Sequence, residues 1–240
     1  MLYVIFLAHL LGDYLFQWGF IARWKARSLM GVLAHGFIVT ITTLACAGLV
    51  DPTWWPYALL IGLIHTAIDL VRARFLRTAD PAWELTWYLL DQLAHLTVIV
   101  LVVIWSGAPS RSEMAGAAKL LTAPRSLAYA IGYLLLLNPA WVLLRLTVRG
   151  VWGSQAAPRL DAGEKYGPMV ERVLIASCVL VGQFHLAPLV LLPRRVVSVR
   201  VQGGDVAVLA RPAGHWAETL LSVLMAATVG LILRMVNGAS

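Results

Sequence analysis

Seven apolar runs, at about 2–20, 29–50, 57–71, 85–105, 126–148, 170–192 and 215–233, occupy most of this 240-residue chain. Each approaches the length a helix needs to cross a hydrocarbon core of about 30 Å. The run at 57–71 is short and relies on Trp54, Trp55 and Arg72 as interface anchors. With 60% of its residues hydrophobic and 13% charged, the chain has too little polar surface to cover such a core in water. Only helices and closed barrels satisfy their own backbone in lipid, and runs of this length select helices. The sequence therefore predicts an all-α polytopic membrane protein with six or seven transmembrane helices. The first run lacks a basic leader and carries ionisable side chains, so it reads as a permanent helix and not as a secretory signal.

The net charge of +7 does not indicate nucleic acid, because the basic residues cluster beside helix ends. Arg23, Lys25 and Arg27 form one cluster and Arg72, Arg74 and Arg77 another, which is the positive-inside pattern. Both clusters on the cytoplasmic side place the N terminus outside, with the first and third helices running inward. The rear half is ambiguous. Seven spans leave Arg194, Arg195, Arg200 and Arg211 outside, whereas six leave Arg145, Arg149, Arg159 and Lys165 there, and Asn138-Pro139 marks the kink that separates the two counts. Residues 106–125 and 150–168 read as loops, and 194–211 as a small β-hairpin around Gly203-Gly204 lying against the membrane face. The expected organisation is a four-helix core at 1–105, followed at 106–240 by three further helices. Cys46 and Cys178 have no partner at a metal or redox spacing and read as small buried hydrophobes.

Polar residues recur inside the first four runs in a repeated arrangement. His9-x3-Asp13 lies on the first helix and His65-x3-Asp69 on the third; His35 follows in "VLAHGFIV" on the second, and His95 in "QLAHLTVIV" on the fourth, four residues after Asp91. This reads as a tandem repeat of a helix hairpin, a plan that places polar sites between the copies. Three aspartates deep in membrane helices carry an adverse transfer free energy of about 8–10 kcal/mol, which something must offset. Each has a histidine at i±4, so the two side chains share a helix face. At about 1.5 Å per residue, all seven groups fall in one layer in the cytoplasmic half of their helices.

Imidazole and carboxylate are the ligands of Zn, Mn and Fe, and a set of seven could hold one or two divalent ions, with Zn the first choice. The candidate ligands are His9, Asp13, His35, His65, Asp69, Asp91 and His95, with Asp91 also the candidate general base. Gln17, continuing the His9/Asp13 stripe, and Gln92 are candidates to support the ligands or polarise a substrate, and Lys25, Arg72 and Arg74 to hold an anionic headgroup. His185 and His215 read as interface or packing residues, and Glu171-Arg172 as an anchor. No G-x-S-x-G, P-loop or reactive-cysteine context points elsewhere.

At "HLLGDYLFQ", the basic turn with "LAH", "HTAIDLVR" and "LLDQLAH", the chain resembles the domain-of-unknown-function 3307 family of bacterial integral membrane proteins. The front motif is also similar to that of the membrane-bound metal-dependent hydrolases. The resemblance implies a multi-pass protein of the bacterial cytoplasmic (inner) membrane and a metal hydrolase using the seven His and Asp positions. Taken together, the expectation is a metal-dependent hydrolase acting on a lipid or another amphiphilic ester or phosphoester at the cytoplasmic side. Membrane lipid and the amphiphilic substrate are the expected partners, and homo-oligomerisation is left open. The alternative is a proton- or ion-coupled transporter using the same buried groups.

Overall fold

The computed structural model describes residues 1–76, 83–107, 125–153, 165–192, 200–202, 205–207 and 213–238. Nearly all of them are helical. Helix α1 (Leu2–Leu10) continues as a π turn (Leu11–Leu15), and α2 (Gly19–Arg27), α3 (Leu29–Gly48), α4 (Trp55–Leu76) and α5 (Glu84–Trp105) follow. The rear of the chain supplies α6 (Arg125–Leu136), α7 (Asn138–Trp152), α8 (Tyr166–Leu180), α9 (Ala187–Val190) and α10 (Ala213–Gly238). Short strands Arg200–Gln202 and Asp205–Ala207 pair antiparallel with Val201 opposite Val206; the other residues of the expected 194–211 hairpin lie outside the described residues. The chain divides into two compact units, Met1–Leu134 and Leu135–Ser240.

Five helices are long and apolar enough to cross a membrane: Leu29–Gly48, Pro52–Arg74, Glu84–Trp105, Arg125–Trp152 and Trp216–Gly238. The expected first run, 2–20, is not one straight helix. It breaks after the π turn, and the axis bends by 84° into α2, so the two pieces make a sixth crossing only if counted together. Charge explains the bend, because Arg23, Lys25 and Arg27 cannot continue into hydrocarbon, and an amphipathic segment with Trp18, Phe20 and Trp24 exposed suits an interface. The expected run at 170–192 also stops early. Helix α8 has 15 residues, about 22 Å, and the chain then turns at Gly182 with φ +81°.

In the first unit the usual distribution of side chains is inverted. Phe37 and Leu63 are 67% and 70% exposed, whereas His35 and Asp69 are 0% and 1% exposed. Such faces belong against lipid. With no hydrophobic force available between the helices, close contact between small residues holds them together. A Cβ at Gly36 would collide with Thr66 of α4, and a Cβ at Gly62 would collide with Thr40 of α3. As the number rises on one helix it falls on the other, so α3 and α4 cross antiparallel through two reciprocal Gly–Thr contacts. Both threonines are pinned, since Thr40 donates to the Gly36 carbonyl at 2.7 Å and Thr66 to that of Gly62 at 2.8 Å. Ile5, Ala47, Trp54, Ala58, Ile61, Ile99, Val102 and Val103 pack into an apolar cluster toward one end of the bundle.

The second unit contains a helix break stabilised by a buried cation. Pro139 cannot donate a hydrogen bond, and Leu137, with ψ −120°, separates α6 from α7. Arg172 of α8, 1% exposed, donates from Nε to the Leu136 carbonyl at 2.7 Å and from Nη2 to that of Leu137 at 3.4 Å. It also reaches Ser222 Oγ at 3.3 Å. Asn138-Pro139 is thus a break satisfied from outside the helix, and Arg172 is more than a surface anchor.

The Gly36 contact can be tested directly. Gly36→Ala is expected to destabilise the protein by about 1–3 kcal/mol, and adding Thr66→Ala to recover part of that loss by removing the atoms the new methyl meets. Thermal unfolding in detergent measures both.

Candidate metal centre

The centre is built where α1, α3, α4 and α5 meet. The π turn is closed by Phe16 N–H to Leu11 O at 2.8 Å, and Gly12 lets it lie against the Val39 backbone, where a Cβ would stand 3.1 Å from Cα. Asp13 sits in this widened turn and bonds across helices, its Oδ1 3.0 Å from His35 Nε2. The reciprocal crossing of α3 and α4 brings His35, beside Gly36, to His65, beside Thr66, with Nε2 atoms 3.4 Å apart. Asp69, one turn along α4, places Oδ2 3.2 Å from His65 Nε2 and 3.6 Å from His35 Nε2.

Two overlapping groups of three could hold an ion, Asp13, His35 and His65 in one and His65, Asp69 and His95 in the other, with the donor atoms of each group within 4.8 Å of one another. In the first, Asp13 Oδ1 is 3.0 Å from His35 Nε2 and 4.0 Å from His65 Nε2, and the two Nε2 atoms are 3.4 Å apart. Ligands about 2.0–2.1 Å from a tetrahedral Zn²⁺ stand about 3.3–3.4 Å apart, so these spacings bracket those between neighbouring ligands of such an ion. The second group shares His65 with the first. His95 Nδ1 is 2.8 Å from the main-chain carbonyl of Asp91, which only accepts, so Nδ1 carries the proton and Nε2 keeps its lone pair for a metal ion. Among the described residues, His95 Nε2, His9 Nε2, Asp69 Oδ1 and Asp91 Oδ1 are buried without a hydrogen-bond partner. Buried imidazole and carboxylate atoms with no hydrogen-bond partner are groups a divalent ion would satisfy, so this donor set fits one. A cavity of about 10 Å³, room for one water-sized body, lies among His9, His65, His95, Ile61, Val98 and Ile99.

All seven sequence candidates are buried at this junction, although they do not play one part. His9 stacks on His95 with ring centroids 5.4 Å apart, outside the two ligand groups. Asp91 also lies outside them: Oδ2 accepts from Arg72 Nη1 at 2.8 Å and from Gln92 Nε2 at 3.1 Å. Gln92 also approaches Asp13 Oδ2, at 3.4 Å. Gln17 leaves the His9/Asp13 stripe, because the helix ends at the π turn and Gln17 falls in the break before α2. Lys25 and Arg72 point inward. Lys25 Nζ is 2.7 Å from Asp69 Oδ2 and 3.9 Å from Asp13 Oδ1, so it is the counter-charge to both carboxylates. Periodicity did not reveal that inward turn of Lys25, nor the Tyr14–Tyr88 hydroxyl contact at 2.8 Å. The twofold G-x-x-x-T pattern, Gly36/Thr40 and Gly62/Thr66, was the readable signal for the crossing.

The Arg72–Asp91 pair has a measurable energetic role. Arg72→Met is expected to cost about 3 kcal/mol by leaving Asp91 uncompensated, and the added change Asp91→Asn to restore most of it. Unfolding temperatures of the two variants separate charge compensation from packing.

Fold and site together define a helical protein with five helices apolar enough to span a membrane and a buried His/Asp cluster able to hold a metal ion. A family model described as "Protein of unknown function (DUF3307)" matches residues 1–121, half the chain, and the chain belongs to that family. No curated protein and no solved structure matches it.

Proposed function

We propose that this chain is a membrane-embedded, metal-dependent hydrolase acting on a lipid or another amphiphilic ester or phosphoester at the cytoplasmic face of a bacterial inner membrane. The observation that carries the reading is the pair of buried, overlapping His/Asp groups, Asp13, His35 and His65 in one and His65, Asp69 and His95 in the other, each with its donor atoms within 4.8 Å of one another. Zinc is the ion of choice, with His95 and His9 available toward a second. The similarity of the front motif to membrane-bound metal-dependent hydrolases points the same way. A bound divalent ion supplies an activated water and polarises a carbonyl or phosphoryl oxygen.

The chain's own residues do the rest. Arg72 and Gln92 hold Asp91 through Oδ2, which keeps it oriented. Its Oδ1, buried without a hydrogen-bond partner, is the atom on offer to take a proton from water, so Asp91 is the general base. Beyond the histidines, the apolar cluster around Trp54 and Ile99 closes one end, so the polar groups open toward Lys25 and Arg72 alone among the described residues. A carrier would need a polar route to both faces, which favours the enzyme over the transporter. The bent first pair serves as the sixth span, and the paired strands Arg200–Gln202 and Asp205–Ala207 act as a clip at the membrane surface.

Elemental analysis of detergent-purified protein tests this reading. Wild type is expected to carry one or two equivalents of zinc, and the double variant Asp69→Ala, His95→Ala to lose them. Asp91→Asn is expected to retain the metal while hydrolysis of lipid esters falls by about 10²- to 10⁴-fold. Metal-free wild type, purified without chelator, would transfer the assignment to the carrier.

A further inference from the structure

We infer that Lys25 is a displaceable cation: it pairs with Asp69 beside Asp13 and, once an ion is bound there, turns to a phosphoryl group. The substrate is then a phosphoester and not a carboxylic ester. The inference rests on the metal reading of the centre and narrows its substrate class.

Charge carries the argument. Three buried carboxylates, Asp13, Asp69 and Asp91, face two cations, Lys25 and Arg72, leaving one negative charge in excess when the histidines are neutral. A divalent ion among the same oxygens reverses the balance to one positive charge in excess. Uncompensated charge in a low-dielectric interior is costly, so the loaded centre favours an anion. A phosphoester brings that anion in its ground state; a carboxylic ester is neutral until it reacts. Geometry agrees, because Lys25 Nζ contacts Asp69 Oδ2, in the candidate group of His65, Asp69 and His95, and ion and ammonium compete for it. The backbone that delivers Lys25 is fixed by close packing. A Cβ at Gly31 would collide with the backbone at Trp24 and Lys25, so α2 lies directly on the start of α3. The four-carbon stem retains its rotamers. Exposed Trp18, Phe20 and Trp24 at or beside α2 place this cation at a lipid interface, which points to a phospholipid headgroup as the source of the phosphoryl group.

Calorimetry on the full-length protein in detergent, with wild type, Lys25→Gln and Lys25→Arg, tests the idea using zinc, inorganic phosphate and dihexanoyl phosphatidic acid as probes. Zinc is expected to bind Lys25→Gln about five- to tenfold more tightly than wild type, since the competitor is gone. Phosphate is expected to bind zinc-loaded wild type but not chelated wild type, to bind zinc-loaded Lys25→Gln about tenfold more weakly, and to be restored in Lys25→Arg. Tighter binding of the lipid phosphate than of inorganic phosphate supports a headgroup site, and equal binding overturns the lipid source. Unchanged or weaker zinc affinity in Lys25→Gln, or unchanged phosphate affinity, overturns the role of Lys25 and leaves the metal centre standing. No zinc binding to wild type overturns both.

Discussion

Three carboxylates must be kept in a bundle whose outside faces lipid, and most of the front unit follows from that requirement. Each of the three has cationic or hydrogen-bonding groups around it, drawn from more than one helix: His35 and Lys25 for Asp13, His65 and Lys25 for Asp69, Arg72 and Gln92 for Asp91. Bringing α3 and α4 close enough for these bonds needs residues with little side chain at the crossing, and Gly36 and Gly62 provide them. Bringing Lys25 inward needs the chain to turn back, and the break after Leu15 provides that. The electrostatic demand and the backbone geometry are thus one design, read at two scales.

The same economy appears in the rear unit, where the buried charge serves the main chain. Pro139 opens a break, and the guanidinium of Arg172 takes up the carbonyls of Leu136 and Leu137. In water a break of this kind would simply be solvated. In hydrocarbon it needs a partner from another helix, which is why an arginine 1% exposed is compatible with a stable helical unit.

The parts of the structure that depend on composition and period were legible in the sequence. The helical class, most of the spans and the gathering of seven His and Asp residues at one junction followed from apolar runs and i, i+4 spacing. What the sequence obscured was direction. Same-helix spacing paired Asp13 with His9 and Asp91 with the His95 ring, whereas Asp13 bonds His35 and His95 bonds the Asp91 main chain. Helical periodicity gives the face of a helix and not the identity of the neighbour on it. Lys25 and Arg72 were read as membrane-flanking charges, yet their long stems reach into the His/Asp cluster, a property that positive-inside counting cannot see. The π turn was equally hidden, since its extra residue changes where Gln17 points without changing the hydropathy of the run.

A centre whose donors come from α1, α3, α4 and α5 has a consequence for biogenesis. No single hairpin of the front unit contains it, so it does not exist in a partly inserted chain. A chain in which one of these helices failed to insert would hold no weakened version of the site, only carboxylates stranded in lipid without their counter-charges. Correct insertion of the front unit and possession of the centre are therefore one event, and the cell's membrane quality control would have in those carboxylates a direct mark of the chains that failed.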